Sequence, residues 1–400
     1  MKQIVIAGGG FAGISVGLYL KKNLSKNSAK LILIDKNPFH LFTPSLYEVA
    51  TSEEPQKNIA IPLLEIFGNS VELITSEITK IDPISQNIKL KNGKDISCDY
   101  LIIALGSEPA FYNIDGLADY SLPLKTTADG IKIKDKIHKL CDLNSAKEKE
   151  VHIVVGGGGF SGTELAAELC GYVHELSKEH KISPNLFDVC IIQGSEKLLK
   201  ELDSHVSDIA EKRLSKMGAE IVFGSHIKKV SHNKLITDKG REFPFDVLIW
   251  TGGVRGNIIV ENNGLTLNKG GQIIVNQYLQ ANGFKNIFAI GDIAAFTDSV
   301  SGKKAPGVAQ VAEEEGRIAG ENIVRLIEKK PLSSYKLKHF GYIVPLRGRY
   351  AVFASGMLHI KGFFAWIIQQ FVFLRYLLGI LPFYKAFRSW NQFEKDLRQE

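Results

Sequence analysis

The first thirteen residues place the tightest constraint on the fold, because a short β-branched run there leads directly into a glycine motif. Residues 3–6 predict a buried strand, and Gly8, Gly10 and Gly13 follow in the spacing G-x-G-x-x-G before a helical stretch. A strand that turns sharply into a helix presents free backbone N–H groups at the positive end of that helix. Glycine lets a pyrophosphate approach those groups closely. The stretch therefore predicts a dinucleotide-binding unit.

The next apolar run, residues 31–34, ends at Asp35. Folds of this kind place at that point an acid that accepts a hydrogen bond from a ribose hydroxyl. The order of strand, glycines, helix and acid is more specific than the glycine motif alone.

A second copy of the same unit begins at residue 151. Residues 151–155 predict a strand, Gly157, Gly159 and Gly162 repeat the spacing, and the strand after the following helix ends at Gln193, the position corresponding to Asp35. A repeated unit is far more specific than a single one. The sequence therefore predicts an α/β protein with two Rossmann-like domains and two bound dinucleotides.

Asp292 follows a further apolar run, residues 286–290. An aspartate just past a strand can accept from the ribityl hydroxyls of a flavin, and the alternative is an N-cap for the next helix. The upstream dinucleotide units favour flavin contact. Pro306 and Gly307 then predict a helix N-terminus near Ala309, which would stabilise a reduced flavin anion. Glu313 is expected to belong to a solvated first turn.

The C-terminal part differs in composition from the rest of the chain. Residues 335–400 contain ten Lys and Arg against three acidic residues, and 16 of the 37 aromatic residues. A basic and aromatic excess at one end is typical of a segment on a membrane surface and argues against nucleic-acid binding. Residues 363–381 approach spanning length, but Gln369, Gln370 and Arg375 make a span costly. A dimer-interface helix is the soluble alternative.

The positions of the cysteines and of His40 limit which redox, metal-binding and acid–base sites the chain can form. No cysteine precedes Cys98, which excludes a redox cysteine pair after the first unit, and the scattered cysteines predict free thiols rather than zinc ligands or disulfides. No metal is therefore expected. His40 could act as a base, but a loop histidine satisfied by its neighbours is the preferred interpretation. The early start of the first strand favours a cytoplasmic location.

These residues resemble the type II NADH dehydrogenases, single-subunit NADH:quinone oxidoreductases that use FAD. The resemblance runs from Ile4 to about Trp390. It is carried by the two glycine motifs and by residues 46–51, 105–107, 248–251, 291–292, 309–312 and 362–366.

The resemblance implies roles for particular residues. The FAD contacts would come from Gly8, Gly10, Phe11, Ala12, Gly13, Asp35, Lys36, Thr51, Gly106, Asp292, Ala309 and Gln310. The nicotinamide dinucleotide contacts would come from Gly157, Gly159, Gly162, Glu164, Gln193 and Gly253. Glu164 is linked with hydride transfer and Gln310 with the quinone pocket. A homodimer is also implied.

The chain departs from the family pattern in two features. Glu314 and Glu315 stand where the family has glutamines, and an ionised carboxylate can only accept hydrogen bonds. Either these acids point elsewhere, or one of them is held protonated by burial and acts as a proton donor to the reduced quinone, with Glu314 as the candidate catalytic residue. Gln193 lacks the charge that repels a 2′-phosphate, so NADPH is an alternative to the favoured NADH.

The sequence therefore predicts a peripheral membrane flavoenzyme on the cytoplasmic side of the cell membrane. The predicted domains are FAD-binding (residues 1–115 and 275–338), NAD(P)H-binding (116–274) and membrane-associating (339–400). Hydride would pass from NADH to FAD and two electrons to a membrane quinone, without proton pumping. Two alternatives are a soluble flavin-dependent reductase of a redox protein or oxygen, and a nucleotide-sensing flavoprotein.

Overall fold

The computed structural model describes residues 1–25, 28–52, 59–144, 149–338 and 341–397. The helices are α1 Phe11–Asn23, α2 Leu46–Thr51, α3 Leu63–Phe67, α4 Leu117–Tyr120, α5 Thr127–Asn144, α6 Phe160–Glu179, α7 Ser204–Lys216, α8 Ala309–Ile327, α9 Phe363–Ile380 and α10 Phe383–Leu397.

The strands alternate with these helices along the chain. They are β1 Lys2–Ala7, β2 Ala29–Asp35, β3 Phe39–Leu41, β4 Ala60–Pro62, β5 Glu72–Thr75, β6 Ile78–Asp82, β7 Asn87–Leu90, β8 Asp95–Ser97, β9 Tyr100–Ile103, β10 Ser107–Pro109, β11 Leu122–Pro123, β12 Val151–Gly156, β13 Phe187–Ile192, β14 Glu220–Val222, β15 Ile227–Ser231, β16 Lys234–Thr237, β17 Glu242–Pro244, β18 Val247–Trp250, β19 Val254–Gly256, β20 Ile273–Ile274, β21 Ile287–Ala289, β22 Ala294–Ala295, β23 Tyr342–Pro345, β24 Ala351–Ser355 and β25 Leu358–Gly362.

The first glycine motif belongs to a parallel sheet with the strand order β21-β9-β1-β2-β5. Its central strand β1 is buried from Ile4 to Ala7, because α1 and α8 and other elements cover the sheet. A parallel strand covered on both faces reads as a continuous apolar run rather than an alternating one. That is why residues 3–6 show no polar alternation.

The second motif belongs to an equivalent parallel sheet with the order β11-β18-β12-β13-β14. Each parallel sheet is accompanied by a small antiparallel one, β6-β7-β8 in the first unit and β15-β16-β17 in the second. The internal repeat in the sequence is therefore a repeat in three dimensions. The predicted α/β fold with two Rossmann-like domains is confirmed.

The two units are interleaved in the chain. Strand β21, which follows the second unit, pairs with β9 of the first sheet. Strand β10 pairs antiparallel with β19 and joins the two halves. The domain limits given above remain a prediction.

The C-terminal part begins with the antiparallel sheet β23-β24-β25, which the sequence did not predict, and continues into α9 and α10. Helix α9 packs on β24 and β25 and also against the first unit, where Phe373 contacts Phe42 with ring centroids 4.5 Å apart. By length and composition alone α9 could cross a membrane, with a mean hydropathy of 1.6 and 33% of its residues buried. It is partly a core helix and partly exposed.

Candidate active site

A cavity of about 1060 Å³ lies where the first unit, the second unit and α9 meet. Its walls come from the turn before α1, the end of β9, the start of α6, the start of α8 and the middle of α9. The carboxyl ends of parallel strands open onto such crevices, which is where α/β folds bind ligands. The cavity exceeds the usual volume of a drug-sized pocket, so it has room for a dinucleotide ring system and a second molecule.

The first glycine turn fits a pyrophosphate. Gly8 has φ +110°, and a Cβ there would lie 2.3 Å from the carbonyl oxygen of Ala104. A Cβ on Gly13 would lie 1.9 Å from the carbonyl oxygen of Gly8, so this glycine lets α1 pack on β1. Gly10 instead faces open space, and no side chain of the described residues caps α1. The free space and free amides suit a phosphate group.

The second glycine turn has the same construction. Gly157 has φ +108° and its Cβ would collide with Gly252, while a Cβ on Gly162 would lie 1.9 Å from the carbonyl oxygen of Gly157. Gly159 faces open space at the uncapped start of α6 in the described structure. Two equivalent phosphate-binding turns therefore exist in one chain.

Asp35, the last residue of β2, and Gln193, the first residue after β13, perform the same structural task with different charges. The Oδ2 atom of Asp35 accepts a hydrogen bond from the backbone N–H of Gly9 at 2.7 Å. In the second unit, Oε1 of Gln193 accepts from the backbone N–H of Gly158 at 2.9 Å. Burial raises the pKa of Asp35. Gln193 thus replaces the acid as an acceptor without supplying its charge.

Asp292 lies at the cavity wall in a polar network that the sequence only partly predicted. The Ser107 hydroxyl donates to Oδ2 of Asp292 at 2.8 Å, and the ammonium of Lys125 donates to the Ser107 oxygen at 2.8 Å. Lys125 also lies 3.5 Å from Asp292. No described side-chain bond makes Asp292 a helix cap. Lys125 was missed because it lies on a crossover with no motif of its own.

Helix α8 begins at Ala309, as predicted, and points its uncapped N-terminus at the cavity. Gln310 lies in its first turn and lines the cavity. Glu313, three residues later, lies on the same face and also lines the cavity. The expected solvated position of Glu313 is therefore only partly right: its side chain is half-buried in the cavity wall, with 29% of it exposed, and burial raises its pKa.

The surroundings of Glu314 contradict its predicted role as proton donor. Its carboxylate pairs with Arg317 at 2.9 Å and with Lys338 at 2.5 Å, and the bond to Arg317 is the main cause that lowers its pKa to about 2. Such a group stays ionised, and it lies outside the large cavity. Glu315 is fully buried away from the cavity and accepts from the backbone N–H of Gly291 at 2.6 Å. Neither Glu314 nor Glu315 lines the large cavity.

Glu164 reaches the cavity from α6 in the second unit. Burial, together with the nearby carboxylates of Glu168 and Glu48, raises its pKa well above the usual range. A raised pKa favours the neutral form of the carboxyl group, which can donate a hydrogen bond. Its position between the two units agrees with the role that the resemblance implies, which stays a prediction.

Helix α9 presents amides to the cavity. Gln369 and Gln370 both line it, and the Gln370 side chain is 4% exposed with neither amide atom hydrogen-bonded to a described residue. Buried amides without partners are rare in folded proteins. These polar residues interrupt the apolar helix because they face the cavity rather than lipid.

His40 is satisfied by its neighbours, as preferred from the sequence. Its Nδ1 lies 3.0 Å from the carbonyl oxygen of Gly9, and its Nε2 lies 2.6 Å from the hydroxyl of Tyr376. Burial lowers the pKa of His40 to about 4, so the ring is neutral at pH 7.

The structure separates the predicted contacts into two groups. Those that line the large cavity are Gly10, Phe11, Ala12, Asp35, Lys36, Gly106, Glu164, Asp292, Ala309 and Gln310. Those outside its lining are Gly8, Gly13, Thr51, Gly157, Gly159, Gly162, Gln193, Gly253 and Glu314. The glycines in the second group shape the turns, and the buried Thr51 hydroxyl donates to the carbonyl oxygen of Tyr47.

Known proteins share this architecture. The sequence profile of the pyridine nucleotide-disulphide oxidoreductases matches residues 2–316. A type II NADH:quinone oxidoreductase of Haemophilus influenzae is 30% identical over 404 residues, which cover 91% of each chain. This chain belongs to the same family. A type II NADH:quinone oxidoreductase of Staphylococcus saprophyticus is 25% identical over 353 residues, covering 86% of this chain and 87% of that protein.

Solved structures agree with this type II oxidoreductase family on the fold. NDH2 from Plasmodium falciparum in complex with NADH superposes with a TM-score of 0.85 at 18% identity, over 98% of both chains. The sulfide:quinone oxidoreductase of Aquifex aeolicus superposes with a TM-score of 0.78 at 22% identity, over 97% of this chain and 92% of that one. The resemblance predicted from the motifs is confirmed.

The cysteines separate this type II chain from the dithiol members of the wider family. All four are buried free thiols, and none lines the large cavity. Burial raises the pKa of Cys141 to about 11 and those of Cys98, Cys170 and Cys190 to about 12. A thiol must ionise to attack a disulfide, so these groups are inert.

Proposed function

We propose that the protein is a membrane-associated NADH:quinone oxidoreductase that passes a hydride from NADH to FAD and then two electrons to a quinone, without pumping protons. The observation that carries the proposal is one cavity reached from three sides. The first glycine turn, Glu164 of the second unit and the amides of α9 all line it. This shared lining supports contiguous sites for the proposed donor, cofactor and acceptor.

The first unit would hold FAD. The open space at Gly10 supports pyrophosphate binding, and Asp35 supports binding of the ribose. Asp292, oriented by Ser107, would accept from the ribityl chain, and the N-terminus of α8 would stabilise negative charge on the pyrimidine side. When bound, FAD supplies the two-electron redox chemistry, and the protein supplies position and electrostatics.

The second unit would hold the nicotinamide dinucleotide. Gly159 supports pyrophosphate binding, and Glu164 lies where the nicotinamide would meet the cavity. The neutral Gln193 accepts from Gly158 but does not repel a 2′-phosphate, so we propose that NADH is preferred and that NADPH is also accepted.

The quinone would enter beside α9. Gln310 and Gln370 offer amide donors to a quinone carbonyl, and the exposed outer face of α9 carries Phe364 and Phe371, which are 71% and 65% exposed. Phe383 and Tyr384 of α10 are also about 70% exposed. Basic and aromatic residues together suit the headgroup level of a bilayer. We propose a peripheral location on the cytoplasmic side of the membrane and a homodimeric assembly.

Anaerobic half-reactions test this function. NADH should bleach the bound flavin of the purified protein, and a short-chain quinone should restore its colour rapidly. Slow reoxidation by quinone with rapid reoxidation by oxygen would favour the soluble-reductase alternative. Light scattering in detergent would measure the proposed dimer separately.

A further inference from the structure

The side chain of Glu313 connects two spaces in the protein. A groove of about 560 Å³ lies between α1, α8 and α9 and shares five lining residues with the large cavity. These shared residues are Phe11, Gln310, Glu313, Arg375 and Tyr376. Lys22 and Asn23, which are exposed, line the groove on α1. Glu313 therefore lies at the junction between the cavity and an opening that reaches the surface.

The overall reaction needs one proton beyond the hydride. Reducing a quinone to a quinol takes two electrons and two protons, and NADH supplies both electrons with one proton as a hydride. The second proton must come from water. An acid that touches both the bound quinone and a wet groove is placed to deliver it.

We infer that Glu313 is the acid that protonates the quinone as it is reduced, with Arg375 as its charged partner, and that the groove reprotonates it from water. This inference rests on the proposed function. The O–H bond of the Glu313 carboxyl breaks as a new O–H bond forms on the quinone oxygen, and water in the groove then returns the proton to the carboxylate.

Groups on every side of Glu313 agree with this role. Arg375 of α9 lies 4.0 Å from its carboxylate and is 67% exposed, so the pair is a weak one that permits protonation. Burial raises the pKa of Glu313, while Arg375 opposes the rise and Glu314 adds to it.

Other charged and titratable side chains also line the groove. Tyr376 is hydrogen-bonded to His40, and Lys22 lines the groove from α1. Arg317 forms ion pairs with Glu314 and Glu321.

Neighbouring candidates are less suitable. His40 is neutral, with both ring nitrogens hydrogen-bonded. Glu314 is ionised and lies outside the cavity. Glu164 lines the cavity from the second unit and does not line the groove. Among the described acids that line the cavity, Glu313 is the one that also lines the groove.

The test compares acceptors with and without a proton requirement. Glu313→Gln should lower quinone turnover at pH 7 by roughly 10²-fold, a usual contribution of one general acid. Turnover with ferricyanide, which takes up single electrons without protons, and bleaching by NADH should stay within about twofold of wild type. Glu313→Asp should restore part of the quinone rate. Glu328→Gln, at an exposed acid just past the end of α8 that lines neither the cavity nor the groove, serves as the matched control with normal turnover.

Two further readouts separate proton donation from structural damage. Arg375→Gln removes the positive charge that opposes protonation, so the alkaline decline in quinone turnover should move to higher pH. Infrared difference spectra of the FAD-loaded protein with and without a short-chain ubiquinone should contain a protonated carboxyl band that is lost in Glu313→Gln.

Normal quinone turnover in Glu313→Gln, equal losses with both acceptors, or an unmoved decline in Arg375→Gln would overturn the inference. Slow quinone reduction by the wild-type protein would instead refute the proposed function.

Discussion

The hydroxyl of Tyr376, on the C-terminal helix, donates a 2.6 Å hydrogen bond to Nε2 of His40 in the first dinucleotide-binding unit. The direction is fixed because the other ring nitrogen, Nδ1, faces the Gly9 carbonyl oxygen, which can only accept. Gly9 belongs to the first glycine turn. The tail that we propose to meet the membrane is thus connected through one buried histidine to the proposed flavin phosphate site.

Tyr376→Phe should destabilise the protein by about 1–3 kcal/mol, because it leaves the buried Nε2 of His40 without a donor. The substitution keeps the ring that packs on Phe11 with centroids 4.9 Å apart. Urea unfolding followed by flavin fluorescence and by tryptophan fluorescence would measure the loss. Tyr384→Phe, at a residue 69% exposed, is the control and should unfold like wild type.

The sequence predicted the parts of the site that depend on local backbone geometry. Both glycine turns, the acceptors at the ends of β2 and β13 and the start of α8 at Ala309 are local features, so periodicity and glycine spacing reveal them. The cavity-facing roles of Glu313, Lys125 and Gln370 depend on how α8, the crossover and α9 dock. That docking is not local: α9 is apolar on most of its surface, so its pattern could not indicate which side meets the protein.

Glu315 and Glu314 should show opposite pH dependence although they are adjacent. Burial raises the pKa of Glu315 to about 8, so the stability associated with its neutral form is present below pH 4.5 and is lost as the pH rises through 8. Glu315→Gln keeps an oxygen acceptor for the Gly291 N–H and removes the ionisation. The variant should therefore be more stable than wild type at pH 9 and similar to it at pH 5, as measured by urea unfolding.

Glu314→Gln should show the opposite pH dependence of stability. The pKa of Glu314 is lowered to about 2, so its ion pairs stabilise the fold at neutral pH and are lost as the pH falls from its usual value of 4.5 through 2. The variant should be less stable than wild type at pH 7, and the difference should narrow towards pH 3. A constant difference across this range would contradict the ion-pair assignment.

Alanine at the two open glycines should separate the two dinucleotide sites. A Cβ on Gly10 or on Gly159 meets no protein atom within 4 Å, so both variants should fold. Because the added methyl group occupies the space proposed for a pyrophosphate, Gly10→Ala should be purified with little FAD. Gly159→Ala should retain FAD but require much more NADH for bleaching. Flavin absorbance and NADH titration measure the two effects, and loss of FAD in both variants would contradict the assignment of separate sites.

The exposed aromatic face of the tail should control binding to lipid vesicles. Phe364, Phe371 and Phe383 each leave most of their surface exposed. Removing one such side chain from a bilayer contact should reduce vesicle partitioning by about tenfold. This factor corresponds to the free energy gained when one aromatic side chain is buried. Sedimentation of each Phe→Gln variant with anionic vesicles tests this. Ile84→Gln, at a similarly exposed apolar residue in the loop between β6 and β7, should sediment as wild type does.

Gln193→Glu should shift the protein towards NADH. The new carboxylate can accept from the Gly158 N–H as Asp35 accepts from Gly9, but it loses the hydrogen bond that the Gln193 amide donates to the Lys197 carbonyl oxygen. The carboxylate would repel a 2′-phosphate at the ribose, and a like-charge contact of this kind amounts to about 1–4 kcal/mol. The ratio of the bleaching rate with NADPH to that with NADH should therefore fall by about tenfold or more. High salt should weaken the effect. An unchanged ratio would place the 2′-phosphate away from Gln193 and leave nucleotide choice to other residues.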